Sequence, residues 1–540
     1  MNPDQAAALE KIRSSLTESR YETHLLYGVT GSGKTEVYLQ ALDQALKLGK
    51  GAIMLVPEIS LTNQTIHRFR SRFQEKIAVL HYRLSQGERN DEWHKIRRGE
   101  ARIVIGARSA IFSPVKDLGL IIVDEEHDPS YKQQDDSPSY QGRDVAVMRG
   151  KMSQSTVILG SATPSLESYY NASQNKYSLS VLSQRADAAS LPRVHIVDMK
   201  KEFEKAKGYT HFSDELLTGI KKRQEAGETT ILFLNRRGYH TTLLCQGCGK
   251  AVQCAHCDVA MTFHLGDNCL ACHLCGFRLM PPPEACPYCR SANPLKYKGA
   301  GTEQIEKALH AVLPEIRTIR VDGDTTKHKG SQQKLLRDFG TGKADVLIGT
   351  QMIAKGLHFP EVTLVGVLNS DAALNIPDFR SSETVFQLMT QVSGRAGRGI
   401  IPGEVIIQTA MPDNTTIRLA SQQDYPKFYE EEISVRKMFG YPPFTQIAKI
   451  TFSGKESKAV EKAALGFRSL LAARLPPEFE LHAVVPCGYA KVKDHYRYQF
   501  LVRGPNLLPL NVAITKIQEE TPLPKAVQAY IDINPASTYF

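Results

Sequence analysis

From Asp4 to about Asn175, short apolar runs alternate with stretches whose apolar residues recur at helical spacing, the pattern of a parallel sheet covered by helices. The runs predict strands at His24–Tyr27, Ala52–Val56, Ile77–Leu80, Arg102–Gly106, Leu120–Asp124 and Ser155–Leu159. Between about Tyr177 and Tyr209 the chain turns mixed and charged and reads as a connector. The alternation then resumes with a helix at Ser213–Ala226 and a strand at Thr230–Leu234. After a cysteine-rich interruption it continues through Thr302–Leu313, Thr318–Val321, Ser331–Phe339, Asp345–Gly349, Val362–Val367 and Gly403–Gln408, a second α/β lobe carrying an insertion. Pro442-Pro443 marks a break. Beyond it, Ile447–Phe452, a helix around Ser457–Ala473 and Tyr498–Val502 suggest a small α+β domain. The expected division is a first lobe at 1–176, a connector at 177–212, a second lobe at 213–440 interrupted by a cysteine-rich domain at 244–292, and a C-terminal domain at 441–540.

The 540 residues are enough for three to four domains at roughly 150 residues each. Hydrophobic residues at 42% and charged residues at 23% exclude wholesale disorder. The longest apolar runs, such as Gly119-Leu120-Ile121-Ile122-Val123, fall far short of the ~20 residues of a membrane span. Met1-Asn2-Pro3-Asp4-Gln5 lacks a basic and then apolar leader, so no membrane association and a cytoplasmic location are expected. The net charge of +10 suits a polyanionic partner without naming it.

Nine of the ten cysteines lie between Cys245 and Cys289, and in a reducing compartment such clustering points to metal rather than to disulfides. Four Cys-x-x-Cys knuckles, Cys245/Cys248, Cys254/Cys257, Cys272/Cys275 and Cys286/Cys289, supply eight thiolates for two tetrahedral Zn²⁺ sites. Cys269 also stands at knuckle spacing from Cys272. Gly276 follows Cys275 as Gly249 follows Cys248, which favours Cys272/Cys275 and leaves Cys269 spare. Spacing permits both nested and sequential pairing. With few large apolar side chains available, metal binding at roughly 10–16 kcal/mol per site is what folds the block. His256, His264 and His273 read as surface residues, Phe263, His264, Phe277 and Arg278 as a face for DNA or a partner, and Cys487 as a small buried side chain.

Gly28-Val29-Thr30-Gly31-Ser32-Gly33-Lys34-Thr35 follows a predicted strand and opens a predicted helix, the context a phosphate-binding P-loop requires. Its glycines let backbone N–H groups close around phosphate oxygens, Lys34 offers a point charge and Thr35 a hydroxyl for Mg²⁺. A second apolar strand ends in Asp124-Glu125-Glu126-His127, carboxylates at a strand tip where such folds bind ligands. Asp124 is expected to ligate Mg²⁺ and Glu125 to orient or deprotonate the attacking water. In the second lobe, Gln391-Val392-Ser393-Gly394-Arg395-Ala396-Gly397-Arg398 sets Arg395 and Arg398 on one face of a helix end, the placement arginine fingers need. Tyr131, Lys132, Tyr140 and Arg143 mix aromatic and basic side chains on a loop suited to stacking bases and gripping phosphates. Near the C-terminus Lys491, Lys493, His495 and Arg497 interleave with Tyr489, Tyr496 and Tyr498, a second basic and aromatic surface.

In this order the motifs resemble the two-lobed, RecA-like motor of superfamily 2 helicases. Asn2-Pro3-Asp4-Gln5 is similar to the adenine-reading motif, with Gln5 for the base. Pro57-Glu58-Ile59-Ser60-Leu61-Thr62 and Gly106-Ala107-Arg108-Ser109 resemble the strand-gripping motifs, Ser161-Ala162-Thr163 the coupling motif, and the segment from Gly349 to Gly356, with Thr350 and Gln351, the sensing motif of the second lobe. Leu234-Asn235-Arg236-Arg237-Gly238-Tyr239, Gly299-Ala300-Gly301-Thr302-Glu303 and the cysteine block narrow the likeness to the bacterial replication-restart helicases. The resemblance implies ATP-driven 3′-to-5′ DNA unwinding at abandoned forks and primosome assembly. It also implies nested zinc pairing, a monomer associated with the nucleoid, and partners among primosome proteins, single-stranded DNA-binding protein, the replicative helicase and its loader. Two departures stand out. The motor motifs begin at residue 2, where the family carries a 3′-end-binding domain and a winged helix first, so a shortened or motor-only form is expected. Ser137-Pro138-Ser139 also stands where relatives place a tryptophan in the aromatic loop, which leaves stacking to Tyr140. An RNA-directed motor and a non-catalytic fork-binding platform are the competing readings; the zinc insertion argues against the first and the intact phosphate motifs against the second.

Overall fold

The computed structural model describes residues 1–539 apart from 58–62, 74–76, 82–83, 135–137, 186–190, 235–241, 246–247, 249, 258, 265–267, 273–274, 291–294, 299–300, 324, 327–329, 354–358, 369–370 and 398–400. The chain forms two units. One comprises Met1–Asn235, Glu315–Leu374 and Ser382–Ile433; the other comprises Arg236–Pro314, Asn375–Ser381 and Ser434–Phe540.

In the first unit, seven parallel strands form one sheet: β1 (Glu22–Gly28), β2 (Gly51–Leu55), β3 (Ile77–Leu80), β4 (Ile103–Gly106), β5 (Leu118–Asp124), β6 (Thr156–Ser161) and β7 (Ser178–Leu182). Their spatial order is β3-β4-β2-β5-β6-β1-β7. Neighbouring residues feed opposite faces because side chains alternate along a strand. Leu26, Met54, Ile122 and Ile158 pack with helix residues Leu9, Val37 and Leu42, whereas Leu25, Ile53, Ile121 and Val157 pack with Ile96 and Ala146. Helices on both faces explain why these strands read as continuous apolar runs. The first helix, Pro3–Thr17, starts with a reciprocal cap in which Asn2 Oδ1 accepts from Gln5 N and Gln5 Oε1 accepts from Asn2 N, both at 2.9 Å.

The second sheet of this unit is also parallel, with strands β8 (Arg193–Asp198), β9 (Thr229–Leu234), β10 (Thr318–Val321), β11 (Val346–Gly349), β12 (Val362–Leu368) and β13 (Glu404–Thr409) in the order β8-β13-β12-β9-β11-β10. The stretch expected to be a connector is different: its start supplies β7 to the first sheet and its middle supplies β8 to the second. Both are half-solvated edge strands without a continuous apolar run, which hid them. Helix Asp214–Glu225 is capped by Ser213 Oγ, which accepts from Leu216 N at 3.2 Å, within the predicted bounds.

The second unit joins the cysteine-rich insertion with the C-terminal domain. The insertion is a five-stranded antiparallel sheet built from Thr242–Cys245, Thr262–His264, Cys269–Ala271, Arg278–Leu279 and Leu295–Lys298. Contrary to expectation it has a small apolar core, in which Leu243, Val252, Met261 and Leu270 pack with Cys254, Cys257 and Cys272. In the C-terminal domain, helices Ser457–Ala472 and Leu508–Glu520 cover an antiparallel sheet of Gln446–Gly454, Glu480–Leu481, Val485–Val492, His495–Gly504 and Val527–Ile533 around Ile450, Phe452, Phe467 and Phe500. Cys487 is buried there, as expected. Among the described residues no helix is long and apolar enough to cross a membrane.

Candidate nucleotide site and zinc centres

The strand β1 ends at Gly28, and the next helix opens at Lys34, so residues 28–33 form a loop at the carboxyl edge of the sheet. Gly31 and Gly33 take φ of +83° and +80°, left-handed values that only glycine adopts without strain. Lys34 Nζ donates to Gly28 O at 2.7 Å, and Gln5 Nε2 donates to Ser32 O at 2.8 Å. Thus Gln5, expected at the base, also braces the phosphate loop. Ser32 Oγ is buried with no hydrogen-bond partner among the described residues, a donor left for a ligand of the loop.

At the tip of β5, Asp124 Oδ1 accepts from Tyr38 Oη at 3.0 Å and from Glu125 N at 3.1 Å. Burial, reinforced by the Glu125 charge, raises Asp124 to about 7 against the pull of Lys34. A divalent cation beside Asp124 would offset that burial, so this carboxylate fits a Mg²⁺ ligand. Glu125 stands at φ +47°, and its Oε2 is buried without a hydrogen-bond partner among the described residues, the condition of a base waiting for a water. Gly160 beneath is obligatory, because a Cβ there would overlap the Tyr38 hydroxyl that holds Asp124.

Glu126 was not expected to matter, yet it is fully buried and organises the coupling motif. It accepts from Ser165 N at 2.6 Å, Ser165 Oγ at 3.1 Å, Ser168 Oγ at 2.8 Å and Arg143 Nη1 at 3.2 Å. His127 Nδ1 meets Ser161 Oγ at 2.7 Å, and its Nε2 meets Gln391 Nε2 at 2.6 Å. The amide N–H can only donate, so the imidazole proton belongs on Nδ1 and goes to Ser161. Glu383 likewise accepts from Leu166 N at 3.0 Å. Both links join the two sheets of the same unit. Glu126 and Gln391 stood inside quoted motifs without a role and Glu383 was not singled out, since Ser165, His127 and Leu166, the partners that give them one, are distant in sequence.

Gly394, at the end of helix Ser381–Ser393, lies so close to the phosphate loop that a Cβ would stand 2.6 Å from Thr30 Cγ2. The half-buried Arg395 follows it directly, which brings the predicted finger segment to the phosphate cradle. Arg398 lies outside the described residues. So do most of the Pro57–Thr62 motif, Asn235–Tyr239, Gly299-Ala300 and Ala354–Gly356.

Three residues of the predicted DNA loop need correction. Tyr131 is completely buried and its hydroxyl donates to Asp124 O at 2.6 Å, Lys132 is buried, and the Arg143 guanidinium is bound by Glu126 and by Asp144. They hold the loop in place, and burial of Tyr131 and Lys132 and the ion pairs of Arg143 withhold them from a strand. Arg108 donates to Lys132 O at 2.6 Å and lies 5.7 Å from the Tyr140 ring centroid. Phe112, which is half exposed and was overlooked in the sequence, meets Tyr140 edge-on at 5.1 Å. Thr350 is buried and Gln351 half-buried just after β11. In the C-terminal domain Lys491 Nζ is 3.2 Å from the Asp494 carboxylate and 5.7 Å from the Tyr496 ring, with Arg497 half-buried on the same strand. Lys491 and His256 together hold Asp494 below the usual carboxylate range.

The eight knuckle thiols gather in two tetrads, Cys245/Cys248/Cys286/Cys289 and Cys254/Cys257/Cys272/Cys275, with all sulfurs of a tetrad within 4.8 Å of one another. The pairing is therefore nested. Sulfur separations of 3.6 Å (Cys245–Cys289), 3.7 Å (Cys248–Cys286) and 3.5 Å (Cys254–Cys275) fit the ~3.8 Å edge of a tetrahedron with Zn–S bonds of about 2.3 Å. Backbone N–H groups of His256, Phe277 and Tyr288 donate to Cys254, Cys275 and Cys286 at 3.4 Å, as thiolate knuckles require. Gly276 takes φ +79° in its knuckle, as predicted, and buried Cys269 belongs to neither tetrad. His256 pairs with Asp494 at 2.7 Å instead of a tetrad; the side chain of His264 and all of His273 fall outside the described residues.

Family models match a DEAD/DEAH box helicase over residues 2–172, a helicase conserved C-terminal domain over 288–399, a PriA DNA helicase Cys-rich region over 254–279 and a primosomal protein N C-terminal domain over 437–536. The chain is 51% identical to the replication restart protein PriA of Chlamydia trachomatis over all of its own length and 72% of that protein. It is 46% identical to the Bacillus subtilis protein of that name, over 99% of this chain and 66% of the relative, and 40% identical to that of Haemophilus influenzae, over 99% and 72%. Identity at this level along the whole chain, with two four-cysteine tetrads between the motifs of the second lobe, places the chain in the replication restart protein PriA family of ATP-dependent DNA helicases.

Proposed function

We propose that the loop Gly28–Thr35 holds the triphosphate of ATP, with Lys34 against the β- and γ-phosphates and Thr35 and Asp124 as ligands of Mg²⁺. Mg²⁺ supplies charge neutralisation on the phosphate oxygens. Glu125 orients the attacking water and takes its proton, Gln5 reads the adenine, and Arg395 and Arg398 approach the γ-phosphate from the second lobe. The observation that carries the reading is the polar chain Gln391–His127–Ser161, which ties the hydrolysis motif to the coupling motif and to the helix that precedes the fingers.

The family's activity is ATP-dependent 3′-to-5′ DNA unwinding in replication restart, with two zinc ions held by the insertion. In this chain the strand would run along Arg108, Tyr140 and Gln351, with Thr350 buried at the same strand end and Lys491, Tyr496 and Arg497 offering a second surface. Stalled forks are the proposed substrate. Primosome proteins, single-stranded DNA-binding protein and the replicative helicase with its loader are the proposed partners, met in the cytoplasm at the nucleoid.

ATP turnover by the purified chain alone, with single-stranded DNA, with a forked duplex and with RNA of equal length tests this. Strongest stimulation by the fork is the expected result. Preference for RNA would overturn the substrate, and indifference to nucleic acid would overturn the coupling.

A further inference from the structure

Residues Leu182–Arg185 leave the edge of the first sheet and touch several parts of the nucleotide site in succession. Leu182 O accepts from Val29 N at 3.2 Å. Ser183 N and Oγ both donate to Asp4 Oδ2, at 3.0 and 2.8 Å, next to the adenine-reading Gln5. The Arg185 side chain then passes over the phosphate loop, its Cγ, Cδ and Nε at 3.7–3.9 Å from the Cβ position of Gly31. Finally Arg185 Nη1 donates to Gly397 O at 3.0 Å, inside the finger segment of the other lobe. Arg185 is 8% exposed, so a permanently charged guanidinium is buried between the loop and the fingers.

Burial of a cation is costly unless anionic or dipolar partners offset it. The carbonyl of Gly397 is one such partner, and a triphosphate bound at the loop would add strong negative potential nearby. We infer that Arg185 is a positioning residue for ATP hydrolysis: it joins the phosphate loop to Gly397 and thereby sets where Arg395, two residues earlier, meets the γ-phosphate. The inference rests on the nucleotide site proposed above. Its signature is in turnover, because these two contacts are to the Gly31 position and to Gly397, and not to Gln5, Lys34 or Thr35.

The experiment compares Arg185→Ala, Arg185→Gln and Arg185→Lys in the full chain, with Lys34→Ala alongside. It reads DNA-stimulated kcat and KM, binding of a fluorescent ADP analogue, thermal melting, and rescue by added guanidinium. Arg185→Ala and Arg185→Gln should lower kcat by about tenfold or more with KM and ADP affinity within about threefold of the parent. Guanidinium should restore part of the turnover of Arg185→Ala and none of that of Lys34→Ala. Unchanged kcat in both neutral variants overturns the inference. Equal loss of kcat, ADP binding and melting temperature in both, with no rescue by guanidinium or by Arg185→Lys, overturns it as well, by making Arg185 structural. Retained turnover in Lys34→Ala would instead bring down the nucleotide site itself.

Discussion

The imidazole of His127 accepts a hydrogen bond from the side-chain amide of Gln391 at 2.6 Å, while its other nitrogen donates to Ser161. Three motifs therefore share one ring.

Removing the amide tests whether that ring transmits anything. Gln391→Ala leaves the phosphate cradle untouched, so nucleotide affinity should stay within about threefold of the parent while stimulation of turnover by DNA falls about tenfold or more. Turnover with and without single-stranded DNA decides the matter. Full stimulation in the variant would reduce the contact to packing.

The zinc tetrads make separate demands on the nine clustered cysteines. Cys254→Ser breaks the inner tetrad, so zinc content measured on the native protein should fall from two to about one per chain, and unwinding should suffer more than ATPase. Cys269→Ser touches neither tetrad and should retain both ions. Loss of zinc from the Cys269 variant would mean that the spare was wrongly chosen.

Tyr131 and Tyr140, nine positions apart on one loop, should fail in opposite ways. Tyr140 is half-buried beside Arg108 and Phe112, and Tyr140→Ala should weaken single-strand binding by about 1–3 kcal/mol per stacked base with little change in melting. Tyr131 fills the core, so Tyr131→Ala should cost about 3–5 kcal/mol of stability. Binding by fluorescence anisotropy and thermal melting separate the two, and a Tyr131 variant that melts normally would return it to the surface.

The sequence carried the sheets because buried parallel strands are apolar throughout, and nearly every central strand lies within two residues of its predicted place. It carried the phosphate loop and the knuckles because each is a short contiguous string whose spacing is its chemistry. Arg143, Lys132 and Tyr131 misled for the opposite reason. A basic or aromatic residue on a loop reads the same whether it faces solvent or is bound inside, and the fold brings Glu126 to Arg143 alongside its neighbour Asp144. Arg185 and Gln391 were equally hidden, since their partners Gly397 and His127 are brought to them by the fold.

His24 on β1 gives the fold a pH dependence opposite in sign to that of Asp124, whose raised carboxyl takes up its proton in the folded chain first. Its side chain is 1% exposed, Nε2 meets Ser15 Oγ at 2.9 Å, and Nδ1 is buried without a partner among the described residues. Burial, with Arg20 and Lys11 nearby, depresses its pKa from 6.5 to about 4. Below pH 6.5 the unfolded chain takes up a proton that the folded chain refuses until about pH 4, so the contribution of His24 to stability is lost as pH drops through that window. The full effect, reached near pH 4, is on the order of 3 kcal/mol. His24→Gln keeps a polar group of similar size and cannot titrate, so its melting temperature should change less than the parent's between pH 6.5 and 4. Parallel melting curves for the two proteins across that range would show that His24 is not the group that senses acid; convergence of the curves as pH falls is the expected result.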